Sequence, residues 1–109
     1  MYVSITGLRT KGPWAAPLFW WHAVASMRQA QTADGCLAAD ARTIDGVHHT
    51  RSLWRSEADM RAFLQTGAHL KAVRRFRQIA AGKTFGFAAD ALPDWDEVHR
   101  LWQERGRPY

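Results

Sequence analysis

Asp45-Gly46 is the feature of this sequence that most restricts its fold. Both residues tolerate the positive φ angles of a type I′ turn, which is the typical connection of a two-residue β-hairpin. The pair is flanked by 37–44, which alternates apolar and polar residues as a half-buried strand does, and by 47–54 as the returning strand. The pair therefore predicts an antiparallel hairpin near the middle of the chain.

Strand-like and helix-like patterns also occur on either side of this hairpin. β-Branched residues favour a strand over 1–10, and Pro17 suits the first turn of a helix that reaches about Gln31. Ser56 followed by Asp59 is similar to a capping box, which places the start of a second helix directly after the hairpin. The order up to this point is strand, helix, strand, strand, helix.

The second half of the chain completes a known order of elements. Gly67 interrupts the second helix, and a further helical piece over 68–80 is expected to stop at Gly82. A fourth strand then covers 83–88, and a last helix covers 95–104. The resulting order, βαββαβ with a C-terminal helix, is the ferredoxin-like α+β arrangement around an antiparallel sheet.

The length of 109 residues fits one domain, 1–109, and is too short for two. A four-stranded sheet with its helices on one face leaves the other face uncovered. Two copies packed sheet against sheet would cover it, so we expect a dimeric α/β barrel, which is a homodimer. Trp21, one of six Trp residues, falls outside the apolar face of the first helix and is a candidate for a dimer contact.

The net charge of +5 invites a nucleic-acid or membrane interpretation. The one basic cluster is Lys71, Arg74, Arg75 and Arg77, and a solvated helix face explains it better than a specific nucleic-acid site. No apolar run approaches the roughly 20 residues that span a bilayer, so we expect no membrane partner and a cytoplasmic location. Cys36 is the single cysteine, which excludes an internal disulfide and a cysteine metal cage.

One stretch resembles a known family signature. Leu53–Leu64, followed by Gly67–Leu70, is similar to the strand-to-helix signature of the dimeric α+β barrel superfamily, in which antibiotic-biosynthesis monooxygenases carry a strand-end Trp, a Ser, an acid and a later His. The similarity is greatest to a bacterial family of unknown function within it, whose late helix matches Pro93 and Glu97 here. The resemblance implies the barrel fold and a monooxygenase-like activity.

The resemblance does not extend to haem degradation. Haem-degrading members of the superfamily place a Trp nine residues after the strand-end Trp and a haem-ligating His nineteen residues after it. Counted from Trp54, those positions are Phe63 and Val73 in this chain. We therefore expect no haem degradation, although these positions leave open whether haem binds. The monooxygenase-like activity that the resemblance implies needs no cofactor.

His69 is the candidate catalytic residue. It lies on a predicted apolar helix stripe with Val73 and Phe76, where burial favours an uncharged imidazole that can accept a proton. The alternative is a core histidine that bonds a backbone carbonyl and takes no part in chemistry.

A pocket between sheet and helices would be lined by further residues. His48 and His49 are neighbours on a strand and point to opposite faces, so they cannot chelate one ion together, and only one of them faces the pocket. Which of the two does so stays open, and His49 is taken as the pocket residue. The predicted substrate-binding set is Tyr2, His49, Trp54 and Phe63. No carboxylate at ligand spacing supports a metal site, and His99 is expected to be solvated.

Two functions fit these residues. The first is a cofactor-independent monooxygenase-like enzyme acting on a small flat aromatic or polyketide-like substrate, for which a dry apolar pocket with a few polar groups is needed. The second is a non-catalytic homodimer that binds a small ligand or a partner in the same pocket. No residue set in the sequence compels catalysis.

Overall fold

The computed structural model describes residues 1–108, without the side chains at 67–69 and 72. A five-stranded antiparallel sheet in the order β2-β3-β1-β4-β5 carries four α-helices, and a single 3₁₀ turn precedes the first helix. The elements are β1 (Tyr2–Thr10), α1 (Ala16–Thr32), β2 (Cys36–Ile44), β3 (Val47–Trp54), α2 (Glu57–Leu64), α3 (Gly67–Ile79), β4 (Ala80–Ala88), α4 (Trp95–Arg105) and β5 (Arg107–Pro108). This is the predicted ferredoxin-like α+β fold, with the short strand β5 added.

The hairpin and the helix cap form as the sequence predicts. Asp45 and Gly46 have φ angles of 50° and 76°, and β2 and β3 pair directly across them. At the start of α2, the Ser56 side chain accepts a hydrogen bond from the Asp59 backbone N–H at 3.1 Å. Both features depend on local chemistry alone, which is why the sequence reveals them.

The boundary between α3 and β4 corrects a prediction. The helix ends at Ile79, and Ala80 already pairs with Thr10 of β1. Gly82 therefore lies inside β4, opposite Leu8, and does not end the helix. Pairing with the full length of β1 extends the strand beyond what its own composition indicates.

The two faces of the sheet carry different helices, which corrects a second prediction. Helices α1, α2 and α3 cover one face, as expected. The other face, which was expected to be bare, is covered by α4. The buried residues at that contact are Val3, Ile5 and Val47 of the sheet and Val98, Leu101 and Trp102 of α4. An uncovered sheet face is thus no longer a reason to expect a dimer.

Arg51 connects the sheet to the segment that precedes α4. Its guanidinium donates two hydrogen bonds to the Asp40 carboxylate, at 2.7 and 2.9 Å, and one to the Pro93 carbonyl at 2.7 Å. The same group lies 4.1 Å from the centre of the Trp95 ring. One side chain therefore ties the sheet to the start of α4 through charge, hydrogen bonds and a cation–π contact.

Within residues 1–108, no helix is both long enough and apolar enough to cross a membrane.

Candidate functional site

A cavity of about 160 Å³ lies between the sheet and helices α1, α2 and α3. Because side chains of a strand alternate between faces, every second residue of β1 and β3 points into it. The helices contribute a mainly apolar wall. Its wall residues include Ala23, Met27, Ala30, Met60, Phe63 and Phe76.

The floor of the cavity is a patch of hydroxyl groups. Ser4 pairs with Ser52, and Thr6 pairs with Thr50 on one side and Thr84 on the other, so the five side chains form two adjacent rows. The Thr6 and Thr84 hydroxyls are 3.3 Å apart, and the Thr84 hydroxyl donates to the Ile5 carbonyl at 3.0 Å. These hydroxyls offer donors and acceptors to a bound oxygen without adding charge.

An aromatic pair closes one end of the cavity. Trp54 is buried, and its indole N–H donates to the Ser52 hydroxyl at 2.8 Å, which fixes the ring. The Phe63 ring lies 5.3 Å from the Trp54 ring at an angle of 31°. Trp54 and Phe63, two of the predicted substrate-binding residues, therefore both line the cavity.

His48 lies at the other end of the cavity. Its ring is buried and meets the rings of Phe19 and Trp20 edge-on, at centroid distances of 5.4 and 4.9 Å. Its Nδ1 atom has no hydrogen-bond partner within the described part of the chain. Burial lowers the pKa of His48 below its usual range, which favours the uncharged imidazole at neutral pH.

Sequence reasoning took His49 as the pocket residue, and the structure places His48 there. His49 lies on the opposite face of the sheet, against α4. The alternation of side chains along a strand identifies His48. Positions 48, 50 and 52 lie on the same face of β3 as the predicted pocket residue Trp54.

His49 forms a second polar cluster on the α4 face. The side chain is fully buried, and its Nε2 lies 2.7 Å from the Nδ1 of His99. Burial, and to a lesser degree the charge of His99, lowers the pKa of His49 to about 4. His99 is only 14% exposed and lies 3.5 Å from the Asp45 carboxylate, so the expectation that it is solvated was wrong.

Tyr2 and His69 are the other two residues that were predicted to belong to the cavity. Tyr2 stands next to it, since it pairs with Trp54 across the sheet, but it is not part of the lining. His69, the predicted catalytic residue, lies in α3, and its side chain is outside the described part of the chain.

A second, more open cleft lies behind Phe63, between the end of α1 and α2. Its volume is about 380 Å³, and Gln29, Thr32 and Ala62 line it together with Phe63. The Gln29 Oε1 atom is buried without a hydrogen-bond partner in the described residues. Phe63 belongs to the lining of both spaces and therefore separates them.

No protein-family profile and no curated protein sequence matches this chain. Solved structures do match. A candidate antibiotic biosynthesis monooxygenase from Deinococcus radiodurans has a TM-score of 0.73 at 18% identity, over 86% of this chain and 97% of its own. SnoaB, a cofactor-independent oxygenase from Streptomyces nogalater, has a TM-score of 0.69 at 15% identity, over 85% and 97%. Rv0793 from Mycobacterium tuberculosis has a TM-score of 0.74 at 13% identity, over 86% and 100%.

The chain has the fold of the antibiotic biosynthesis monooxygenases. At these identities the likeness is one of fold. Within this monooxygenase-like fold, the stretch that resembles the superfamily signature begins at the end of β3 with Trp54 and continues through the Ser56 cap into α2. It thus forms the aromatic end of the cavity.

The described side chains of this monooxygenase-like fold include no group of three or more His, Cys, Asp or Glu residues arranged to hold a metal ion. Among the lining residues, His48 and Arg51 are the ionisable ones. The Arg51 guanidinium is committed to Asp40 and Pro93. His48 is therefore the ionisable residue of the described lining whose side chain is not held in an ion pair.

Proposed function

We propose that this protein is a cofactor-independent, monooxygenase-like enzyme whose substrate is a small aromatic ring with an acidic hydroxyl group. The observation that supports this most strongly is the cavity itself, which combines an uncharged buried imidazole, a floor of hydroxyls and aromatic walls. Such a site is dry enough to hold a flat ring and polar enough to hold an oxyanion. The shared fold with SnoaB, a cofactor-independent oxygenase, points in the same direction.

The size of the cavity narrows the substrate class. An apolar cavity of roughly 150 Å³ holds a single benzene ring, and the cavity here measures about 160 Å³. A polyketide-like substrate of several fused rings would need Phe63 to move and join the cavity to the cleft behind it. We therefore favour a single-ring substrate over a polycyclic one.

The chemistry assigns a role to each part of the site. His48 accepts the proton of the substrate hydroxyl, and the floor hydroxyls of Ser4 and Thr6 donate hydrogen bonds to the anion that results. The anion transfers one electron to O₂, and the two radicals combine to form a C–O bond. The reacting carbon carries a hydrogen atom. The peroxide anion formed on it takes the proton back from His48, and the hydroperoxide then loses water and leaves a carbonyl group on that carbon. One oxygen atom enters the substrate, the other leaves as water, and the substrate supplies all four electrons that reduce O₂.

Several earlier expectations remain part of this proposal. His69 stays a candidate for a second proton-transfer group, and Tyr2 stays a candidate contact for the outer part of a substrate. The active form is a homodimer in the cytoplasm, without haem or metal. Light scattering should then give twice the chain mass of 12.4 kDa, and a monomer at micromolar concentration would remove the dimer from the proposal.

Oxygen uptake tests the activity directly. We expect single-ring hydroquinones to be oxidised faster with the protein than without it, and ¹⁸O from labelled O₂ to be retained in the product. His48→Gln should abolish this rate enhancement, because glutamine cannot take up the proton. His22→Gln should keep it, because His22 packs between α1 and α3 and is not part of the cavity lining. Normal turnover by His48→Gln would contradict the proposed role of His48.

The alternative function is a homodimer that binds a small aromatic ligand without chemistry. The observation in its favour is that His48 is the single available proton acceptor in the described lining. In that case calorimetry should detect ligand binding, lost on filling the cavity with Ala30→Phe, while no oxygen is consumed. Absence of both binding and oxygen uptake would rule out both functions.

A further inference from the structure

We propose that the outer face of α1, together with the basic residues of α3, docks on the surface of an anionic membrane. This face, called the tryptophan face below, consists of Trp14, Leu18, Trp21 and Val24. Their spacing of four, three and three residues places them on one side of the helix and of the turn that precedes it. The inference concerns a surface remote from the cavity and does not rest on the proposed function.

The tryptophan face is apolar and exposed. Trp14 is 70% exposed and Trp21 is 74% exposed, and Leu18 and Val24 are exposed as well. Clustered apolar side chains of this size are uncommon on a protein surface unless something covers them. Indole rings have a specific preference for the boundary between lipid and water, because the ring is apolar and its N–H is polar.

The helices next to this face carry positive charges that no acidic residue of the same helices neutralises. Helices α1 and α3 pack against each other, and neither contains an acidic residue. The exposed cations of the two helices are Arg28, Lys71, Arg74, Arg75 and Arg77. Within residues 1–108, none of the five takes part in an ion pair, whereas Arg51, Arg55, Arg61 and Arg100 all do.

His22 shows that these cations lie beside the tryptophan face. It follows Trp21 directly on α1, and its ring lies 6.1 Å from that of Phe76 on α3. Burial, followed by the positive charges of Arg75 and Lys71, lowers the pKa of His22. Two cations of α3 thus border the helix that carries the exposed Trp residues.

The shape and composition of the surface favour lipid over the other anionic partners. Single-stranded nucleic acid would stack its bases on the Trp rings, but the aliphatic Leu18 and Val24 have no role in such a contact. A convex helix with aromatic and aliphatic residues beside basic ones is the pattern of proteins that lie in the membrane interface. Anionic lipids of the cytoplasmic leaflet supply the opposite charge. The expectation of no membrane partner concerned a segment that spans the bilayer, and a peripheral contact of this kind needs no such segment.

Vesicle sedimentation tests the proposal. We expect the protein to sediment with vesicles of phosphatidylcholine and phosphatidylglycerol, to remain in the supernatant with phosphatidylcholine alone, and to be released by high salt. Trp14→Ser/Trp21→Ser should lower the partition coefficient by about tenfold or more, since each indole loses its apolar burial. Lys71→Glu/Arg75→Glu should lower it by a similar factor while leaving the Trp residues in place.

Matched variants elsewhere on the surface serve as controls. Leu37→Ser removes an exposed apolar residue of β2, and Arg42→Glu/Arg107→Glu makes the same change of charge away from α3, so both should sediment like the unmodified protein. Circular dichroism verifies that each variant is folded. The proposal is overturned if neither kind of vesicle sediments the protein, or if the controls lose binding as strongly as the test variants. It is also overturned if the Trp residues bind a labelled single-stranded oligonucleotide instead of vesicles. It is equally overturned if Trp21→Ser converts a dimer into a monomer, because the face would then be covered by a second copy.

Discussion

The Nε2 atom of His49 and the Nδ1 atom of His99 lie 2.7 Å apart, across the contact between the sheet and α4. If both rings were protonated, an N–H group would face an N–H group at this distance, so the contact requires at least one uncharged ring. His49 is that ring, because it is fully buried and its pKa is lowered to about 4. Gly7 leaves space for these side chains, since a β-carbon at this position would overlap the Trp102 indole and touch His49.

Acid should therefore weaken the folded state through His49. Unfolded His49 takes up a proton near pH 6.5, whereas folded His49 does so only near pH 4, so the unfolded chain binds more protons in this interval. The free energy of unfolding should fall as the pH falls from 6.5 to 4, by up to about 3 kcal/mol from this residue. Urea unfolding at a series of pH values measures the slope.

His49→Gln separates this effect from general acid sensitivity. The variant has no titrating group at this position, so much of the slope between pH 6.5 and 4 should disappear, whatever its stability at neutral pH. His22→Gln, at a half-buried position, should keep most of the slope. A slope that is identical in His49→Gln and the unmodified protein would show that His49 does not couple protonation to folding.

Arg51→Ala should loosen the attachment of α4. It leaves the Asp40 carboxylate and the Pro93 carbonyl without their donor and removes the contact with Trp95, so we expect a loss of about 2 kcal/mol in unfolding free energy. Amide hydrogen exchange should accelerate first in α4. Arg61→Ala is the matched control, because its pair with Glu57 is exposed and screened by solvent, so its loss should be much smaller. Equal losses in the two variants would refute the role given to Arg51.

Phe63→Ala should change the size of ligand that the cavity accepts. Removal of the ring joins the cavity to the cleft behind it, so affinity for a two-ring ligand such as 2-naphthol should rise relative to phenol. The variant should also lose about 1–3 kcal/mol of stability, because the ring is half-buried. Leu64→Ala, which enlarges the cavity without opening that wall, should not shift the preference. An unchanged preference in Phe63→Ala would mean that Phe63 does not limit ligand size.

His69→Leu tests the residue that the sequence favours for catalysis. If His69 contributes to the site, the variant should fold and melt like the unmodified protein and lose affinity for an aromatic ligand. A core role predicts retained affinity, with equal or higher stability because an apolar side chain replaces a polar one. Melting temperature and calorimetric affinity, measured on the same preparation, distinguish the two.

The parts of the structure that the sequence reveals are those set by neighbouring residues. The Asp45-Gly46 turn and the Ser56 cap need only local chemistry. The face of the sheet on which α4 lies is decided by contacts with β1 and β3, far away in the chain, and the hydropathy of the helix does not encode it. The contact between His49 and His99 could not be predicted for the same reason, since the two residues are 50 positions apart in the chain.

For the candidate site, the sequence predicted the aromatic end of the cavity, but it did not predict that His48 lines it. Trp54 and Phe63 were recognised through the signature that they share with a superfamily. His48 and His49 have the same chemistry and adjacent positions, and only the register against β1 tells which of them shares a face with Ser4 and Thr6. A prediction that applied the two-residue period from Trp54 backwards would have chosen His48.

The position of β1 at the centre of the sheet has a consequence for how the chain is made. Its partner strand β4 follows late in the sequence, with Thr6 and Thr84 separated by 78 residues. At a synthesis rate of about 5–20 residues per second, the ribosome needs roughly 4–16 s to produce the intervening chain. The β2–β3 hairpin can form during this interval, since its turn is local, but one edge of β1 stays unpaired. Val3 and Ile5, which are completely enclosed in the finished protein, therefore stay uncovered until α4 has been made as well.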